Sequence, residues 1–229
     1  MAQHEAWERE YRHSKLLTKD DEPQKDILRF IKFLRKEQKA SINDLKVLDL
    51  GSGTGRNANH FASLGCDVIG LEISETAVGI ARGRAGEKKL GKVKYFEHDI
   101  GSAYPIPDAS MDIVLDVTSS NSLLGSEREI YLRETHRVLK PNGWFFIKAL
   151  CKDGDANAKA LLKKSPGPEA DTYFMEDLSL IERVWTKKDF EEFYGRMFEI
   201  VNFEKKESYT RMNNRSYKRS FWIGYLKKV

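Results

Sequence analysis

The sequence predicts an α/β protein: a doubly wound, mainly parallel sheet with helices on both faces. Three observations predict it. Short apolar runs alternate five times with helix-periodic segments between residues 46 and 150, as parallel strands joined by right-handed crossovers do. A glycine loop, GSGTG at 51–55, stands between the first apolar run and a helical segment, where such sheets place ligands. Two strand-like runs close the chain and read as an antiparallel pair at the end of the parallel array.

The elements follow in order. Trp7 and Tyr11, four residues apart, share a face of a short first helix. Residues 22–38 are an amphipathic helix with Ile27, Phe30, Ile31 and Leu34 at i, i+3, i+4 and i+7, and Pro23 near its start. KVLDL (46–50) is the first strand, and RNANHFASLG (56–65) a helix stopped by Gly65. CDVIGLE (66–72) is the second strand, and Ser74 caps a helix carrying Ala77, Ile80 and Ala81. KVKYFEHD (92–99) and MDIVLDV (111–117) are the third and fourth. Ser126 and Glu129 have capping-box spacing before a helix that buries Tyr131, Thr135, Val138 and Leu139. KPNG (140–143) is a turn, and WFFIKAL (144–150) the fifth strand. Residues 151–185, polar and broken by Pro166 and Pro168, are too long for an ordinary connection and predict a functional insertion, a lid over the substrate. A helix reopens at Thr186–Asp189, and MFEIVNFEKKES and SYKRSFWIGYLKKV, joined by YTRMNNR, are the last strands.

Composition bounds the function. The 229 residues are read as one domain, 1–229, with N-terminal helices (1–38) as a possible lid. The net charge of +4 permits an anionic substrate and does not by itself argue for nucleic acid. Cys66 and Cys151 lie far apart, in no disulfide or zinc pattern. No apolar run approaches the roughly 20 residues that span a membrane, and the charged N-terminus has no signal-peptide core. The expectation is a cytoplasmic protein with no membrane partner and no metal.

The glycine loop narrows the ligand. A dinucleotide fingerprint needs G-x-G-x-x-G; here the spacing is G-x-G-x-G, and Arg56 stands where the third glycine would be. No Gly-Lys-Ser/Thr follows, so the P-loop pattern also fails. Asp49, two residues before Gly51, would repel a pyrophosphate and suits an ammonium or sulfonium. Glu72 ends the second strand, where an acid can accept both ribose hydroxyls of an adenosine. Asp99 and Ile100 follow the third strand, suited to an adenine amino group and the face of its ring.

These motifs together resemble the class I S-adenosylmethionine-dependent methyltransferases. LDLGSGTGRNA is similar to their first motif, LEIS with Glu72 to the second and HDI with Asp99 to the third. MDIVLDV with SSNSL stands in the place of the fourth, and HRVLKPNGWFFI is similar to the helix–turn–strand after it. The resemblance covers residues 25–150 well and the last strands loosely. It implies S-adenosylmethionine as cofactor and S-adenosylhomocysteine as product. It also implies a seven-stranded sheet with a reversed final strand. The cofactor site it implies is Asp49, Gly51, Ser52, Gly53, Gly55, Glu72, Ile73, Asp99, Ile100 and Asp116.

The acceptor is expected beyond the fourth strand, where DVTSSNS (116–122) crowds short polar groups. It departs from the Asn/Asp-Pro-Pro-aromatic motif of enzymes that methylate nucleic-acid amino groups. Candidate substrate residues are Trp7, Tyr11, Ser119, Ser120, Asn121 and, in the insertion, Tyr173; Asp116 and His13 are candidate bases. Alignment of nucleophile and methyl is the main catalytic demand, so no triad is required. The main expectation is methyl transfer to an O, N or S nucleophile of a small-molecule substrate; two other readings stay open: an RNA methyltransferase using Lys205, Lys206, Arg211, Arg215, Lys218 and Arg219 with Tyr209 and Tyr217, and an inactive cofactor-binding subunit.

Overall fold

The structure is a computed structural model and describes residues 3–13, 20–38, 41–212 and 215–229. Two helices, α1 (His4–Arg12) and α2 (Lys25–Gln38), come first. Then β1 (Lys46–Leu50), α3 (Arg56–Ser63), β2 (Asp67–Glu72), α4 (Glu75–Glu87), β3 (Val93–Glu97), β4 (Met111–Val117), α5 (Gly125–Val138) and β5 (Leu139–Leu150) alternate. The insertion holds α6 (Ala156–Lys164), β6 (Thr172–Met175) and β7 (Leu180–Arg183); α7 (Lys187–Tyr194), β8 (Glu199–Met212) and β9 (Arg215–Lys227) complete the chain.

The described residues form a seven-stranded sheet in the order β3-β2-β1-β4-β5-β9-β8. β1 to β5 are parallel, and β9 runs antiparallel between β5 and β8. The doubly wound architecture and the reversed final strand are therefore as expected. The strand order reverses at β1–β4, and a crevice opens there at the carboxyl ends of the strands. One face of the sheet packs Val47, Ile113 and Phe146 against Ile27, Phe30 and Leu34 of α2 and Phe61 of α3. The other packs Leu48, Leu50, Val114 and Phe145 against Tyr131 of α5 and Phe190 of α7. Burial on both faces explains why β1 and β4 are continuous apolar runs. Each fully buried large side chain contributes about 1.5–3 kcal/mol.

Four local expectations change. In α4 the buried face is Ala77, Val78, Ala81 and Ala85, and Ile80 is exposed. The cap of α5 is not Ser126–Glu129: the helix starts earlier, and the Glu127 carboxylate accepts from Leu124 N at 2.8 Å. Residues 140–143 do not separate two elements. They bulge within β5, whose register jumps from Met111↔Leu139 to Ile113↔Trp144, with Asn142 at φ 64°. The last turn is tighter than YTRMNNR, because β8 continues to Met212 and β9 resumes at Arg215; Asn213 and Asn214 lie outside the described residues.

The insertion leaves and rejoins the sheet at one point. Trp185 N donates to Leu150 O (2.9 Å) and Lys152 N to Trp185 O (2.8 Å). Its β6–β7 hairpin and α1 share a small apolar cluster of Ala6, Leu178 and Leu180, with Trp7 and Met175 against it. The Gln3 amide donates to Ile181 O (3.1 Å) and accepts from Ile181 N (2.7 Å), and it also donates to Ser122 O. At the other side of α1, Glu8 accepts from Ser74 Oγ (2.5 Å) and Thr76 N (3.2 Å) at the start of α4. Burial pushes the Glu8 carboxyl up, but these hydrogen bonds, that of Thr76 Oγ1 and nearby Arg12 outweigh it and hold it at about 2. Among the described residues no helix is long and apolar enough to cross a membrane.

Candidate active site

Four parallel strands end at the crevice. β1 delivers Asp49 and the glycine loop, β2 delivers Glu72, the turn after β3 carries Asp99, and the turn after β4 carries Thr118 to Ser122. Gly51, Gly53 and Gly55 take φ of 62°, 54° and 80°, the left-handed region that glycine enters without cost. They are also closely approached from within the chain. A Cβ would meet Ser119 Oγ at 2.3 Å on Gly51, the Tyr11 hydroxyl at 2.7 Å on Gly53 and the Tyr95 hydroxyl at 2.5 Å on Gly55. The loop is held over β2 by Gly53 N donating to Glu72 Oε2 at 2.8 Å.

Three buried carboxylates lie beneath the loop: Asp49, Glu72 and Asp116. Burial raises all three, and their hydrogen bonds differ. Glu72 is pulled back by the amides of Ser74, Gly53 and Ile73. Asp116 is pulled back by Ser120, by the Tyr131 hydroxyl at 2.5 Å and by Ser119 N at 2.8 Å. Asp49 receives one amide, from Ala58; burial, then the charges of Asp116 and Glu72, push its carboxyl up to about 8.

Above the carboxylates is a cavity of about 890 Å³. Asp49, Gly51, Ser52, Gly53, Glu72, Ile73, Asp99 and Ile100 line it, as do Trp7, Tyr11 and Ser119. Trp7 and Tyr11 come from α1, with ring centroids 6.3 Å apart. Six candidates are not among its lining residues. Gly55 sits behind the loop as the N-cap of α3. Asp116 is under the floor, tied to Tyr131 and Ser119. Ser120 is buried in the turn, and Asn121 is consumed by Thr118 O (3.1 Å) and Leu150 N (3.2 Å). Tyr173 is fully buried, donating to Glu182 (2.5 Å) and accepting from Arg219 (2.8 Å). His13 is exposed at the end of α1, away from the cavity. The two candidate bases, Asp116 and His13, thus stand outside the cavity wall.

Other residues enter the site without having been singled out for it. Lys148 lines the cavity at the end of β5, 2.8 Å from Asp26 and 4.7 Å above the Phe221 ring; a lone lysine in WFFIKAL was its signal. Thr118, in the DVTSSNS run where the acceptor is expected, does line the cavity, at φ 69°, a backbone that β-branched residues avoid. Arg219 and Tyr217 turn into the cavity rather than joining an outer basic patch. Lys206 and Lys218 pair with Glu204 and Glu207, each at 2.8 Å, and Lys205 donates to Asp153 O at 2.5 Å. The side chains of Arg211 and Arg215 lie outside the described residues.

The donor set fits a cationic adenosyl ligand. Asp49 Oδ2 and Ser52 Oγ are buried with no hydrogen-bond partner, and unpartnered buried polar atoms in a cavity wall call for a ligand. Glu72 accepts from Gly53 N on Oε2 and from Ser74 N on Oε1, and a carboxylate has lone pairs beyond these for a hydroxyl. A wall with Asp49, Glu72, Asp99 and Glu127 favours positive charge.

Comparison with known proteins agrees. The family described as "Methyltransferase domain" matches residues 48–147. The chain is 30% identical over 103 residues to an uncharacterised methyltransferase of Schizosaccharomyces pombe, covering 45% of this chain and 70% of that one. A crystal structure of a SAM-dependent methyltransferase from Methanosarcina mazei superposes with a TM-score of 0.73 at 23% identity, covering 85% of this chain and 97% of the other. A Burkholderia thailandensis 1,6-didemethyltoxoflavin-N1-methyltransferase, solved with that compound and S-adenosylhomocysteine, gives a TM-score of 0.72 at 16% identity over 100% and 88% of the two chains. The sequence match, the strand order and the donor set lead to one conclusion: this chain belongs to the class I S-adenosylmethionine-dependent methyltransferase family.

Proposed function

We propose that the protein transfers a methyl group from S-adenosylmethionine to an O, N or S nucleophile of a small molecule enclosed beneath α1 and the 151–185 insertion. One observation carries this reading. The cavity continues past the cofactor residues, by Thr118 and Lys148, to Phe174, Arg219 and Phe221. Its volume of about 890 Å³ lies near the upper end for ligand sites and leaves room for a second molecule beside the cofactor.

The cofactor supplies an electrophilic methyl on a positively charged sulfur. The chain's own residues bind and align. Glu72 accepts the ribose hydroxyls, Asp99 and Ile100 hold the adenine, and Asp49 with the amides of Gly51–Gly53 receives the amino-acid end. Ser119 and the Thr118 turn border the transfer point. Trp7 and Tyr11 close the roof, and with Phe174 and Met175 they exclude water. Orientation of this kind supplies on the order of 7–11 kcal/mol. Asp116 acts through the turn it holds and touches no reactant. The neighbour solved with a small heteroaromatic acceptor supports an enclosed substrate.

Calorimetry with S-adenosylmethionine is the first test, and absence of binding below millimolar would refute the reading. Donor consumption across a metabolite library, against folded RNA as a parallel substrate, is the second. Turnover with a small molecule is expected; turnover with RNA alone would overturn the enclosed-substrate part.

A further inference from the structure

The acceptor half of the cavity is built on one face of four strands. Residues paired across strands share a face, and alternate residues of a strand return to it. Val117 of β4 pairs with Lys148 of β5, Leu150 of β5 with Phe221 of β9, and Arg219 of β9 with Ser208 of β8. All six line the cavity. Lys148 is paired with Ile223, so Arg219 stands four residues further out along β9, beyond Leu150 and Phe221. The Thr118 turn lies at the other end, its amide donating to Lys148 O at 2.8 Å. The Arg219 side chain is 12% exposed, and among the described residues its one hydrogen bond runs from Nη2 to the Tyr173 hydroxyl at 2.8 Å. Nε stands 3.9 Å from Asp155 Oδ2 and bonds nothing. Asp155 is already spent on Ala158 N (2.8 Å) and Ser220 N (2.6 Å), and Glu182 accepts from Tyr173. The other cation on this face, Lys148, is held by Asp26 at 2.8 Å, and Lys164 is exposed. A guanidinium keeps its charge and offers five N–H donors; one this enclosed, with donors left open in a cavity, calls for an acceptor.

We propose that the methyl acceptor bears a carboxylate, that Arg219 binds it, and that Leu150, Phe221 and Phe174 hold an apolar body whose far end brings the nucleophile to the Thr118 turn. This inference rests on the transfer point proposed above. The planar fork of a guanidinium matches a carboxylate with two parallel hydrogen bonds. The charges of Asp155 and Glu182 act on Arg219 and disfavour a dianion, which selects a carboxylate over a phosphate. Four residues of strand span about 13 Å, so the carboxylate and the methylated atom sit at opposite ends of the acceptor. Arg219 therefore selects the acceptor and takes no part in the transfer, and the carboxylate is a handle rather than the group methylated.

The test is an acceptor screen with the full chain and methyl-labelled S-adenosylmethionine. The probes are aromatic and alkyl carboxylic acids bearing a distal hydroxyl, amino or thiol group, each set beside its primary amide. Acids are expected to be methylated at the distal group with kcat/KM about tenfold or more above their amides, the scale of a charge-assisted hydrogen bond. Arg219→Gln should raise KM for the acid by about the same factor and bring the acid-to-amide ratio close to one; Arg219→Lys should restore part of the ratio. A merely structural loss would lower acid and amide alike and leave the ratio unchanged, which would overturn the role of Arg219. Should Arg219→Gln fail to fold, the ratio and the position of methylation in the native chain decide. Amides turned over as well as acids overturn the proposal, as does methylation of the carboxylate itself. Turnover of neutral molecules alone sinks this inference and leaves the proposed function standing. No turnover of any acid sinks it as well, and absence of S-adenosylmethionine binding sinks the proposed function too.

Discussion

Gly51 shows how much a single residue is asked to do. It takes φ 62°, and a Cβ there would lie 2.3 Å from Ser119 Oγ. Ser119 is itself fixed by donating to Leu50 O at 2.8 Å, so the neighbour cannot easily give way. Gly51→Ala is expected to lose about 1–2 kcal/mol from the left-handed backbone and more from the clash. Adding Ser119→Gly should recover the clash and leave the backbone cost, which urea unfolding of both variants would read. Asp49 carries the second expectation at this scale. Its carboxyl is raised to about 8 by burial and its like-charged neighbours. A raised carboxyl contributes stability that is complete below the unfolded value near 4 and is lost as pH rises to 8. Without cofactor, Asp49→Asn should therefore escape this decline and gain on the native chain by on the order of a few kcal/mol between pH 5 and pH 8. Denaturation across that range is the measurement; parallel curves would show that Asp49 does not titrate there.

Among the elements, α1 decides whether the site is roofed. It is short, and isolated helices of its length are marginal in water. It is docked by Ala6 against Leu178 and Leu180, by Gln3 on Ile181 and by Glu8 on Ser74 and Thr76. Glu8→Ala removes the tie to α4 and leaves the tie to the insertion. Faster amide exchange over residues 4–12 and a several-fold weaker affinity for S-adenosylmethionine are expected, with little change in the global melting temperature. Because the Glu8 carboxyl is held at about 2, its contribution is present above pH 4.5 and fades as pH falls towards 2. Exchange in α1 should accelerate over that acid range in the native chain and hardly at all in the variant.

For the whole molecule, the reversal of strand order at β1–β4 is what opens a crevice between two helical layers. The core on either face is continuous, whereas the crevice gathers three buried acids and unpartnered polar atoms. A ligand that neutralises them should stabilise the entire fold by mass action. At a hundredfold excess over its Kd, S-adenosylmethionine is expected to add about 2.7 kcal/mol, a rise of roughly 5–10 °C in Tm for a chain of this size. An unchanged melting temperature at saturation would contradict the site.

The sequence by itself determined the sheet, its glycine loop and the acids along its edge. These are local facts: apolar runs of strand length, Ser74 before a helix, Gly65 after one, and Asp49, Glu72 and Asp99 each placed by the strand it ends or follows. Even the turn at 140–143 was legible as turn chemistry, although pairing with β4 absorbed it as a bulge. The acceptor half was decided by tertiary structure. Tyr173 was read as a substrate contact because it is an aromatic residue in an insertion, yet Glu182 and Arg219 claim its hydroxyl inside the core. Arg219 was read as part of a basic surface, yet the β8–β9 pairing turns it into the cavity. Ser120 and Asn121 share the polar turn of Ser119, but Ser120 is buried within it and Asn121 is spent on Thr118 O and Leu150 N. The physical reason is common to these cases. A strand end points its ligand groups by its own geometry, but a loop side chain has several possible partners, and only the packing of distant elements chooses between solvent, core and substrate.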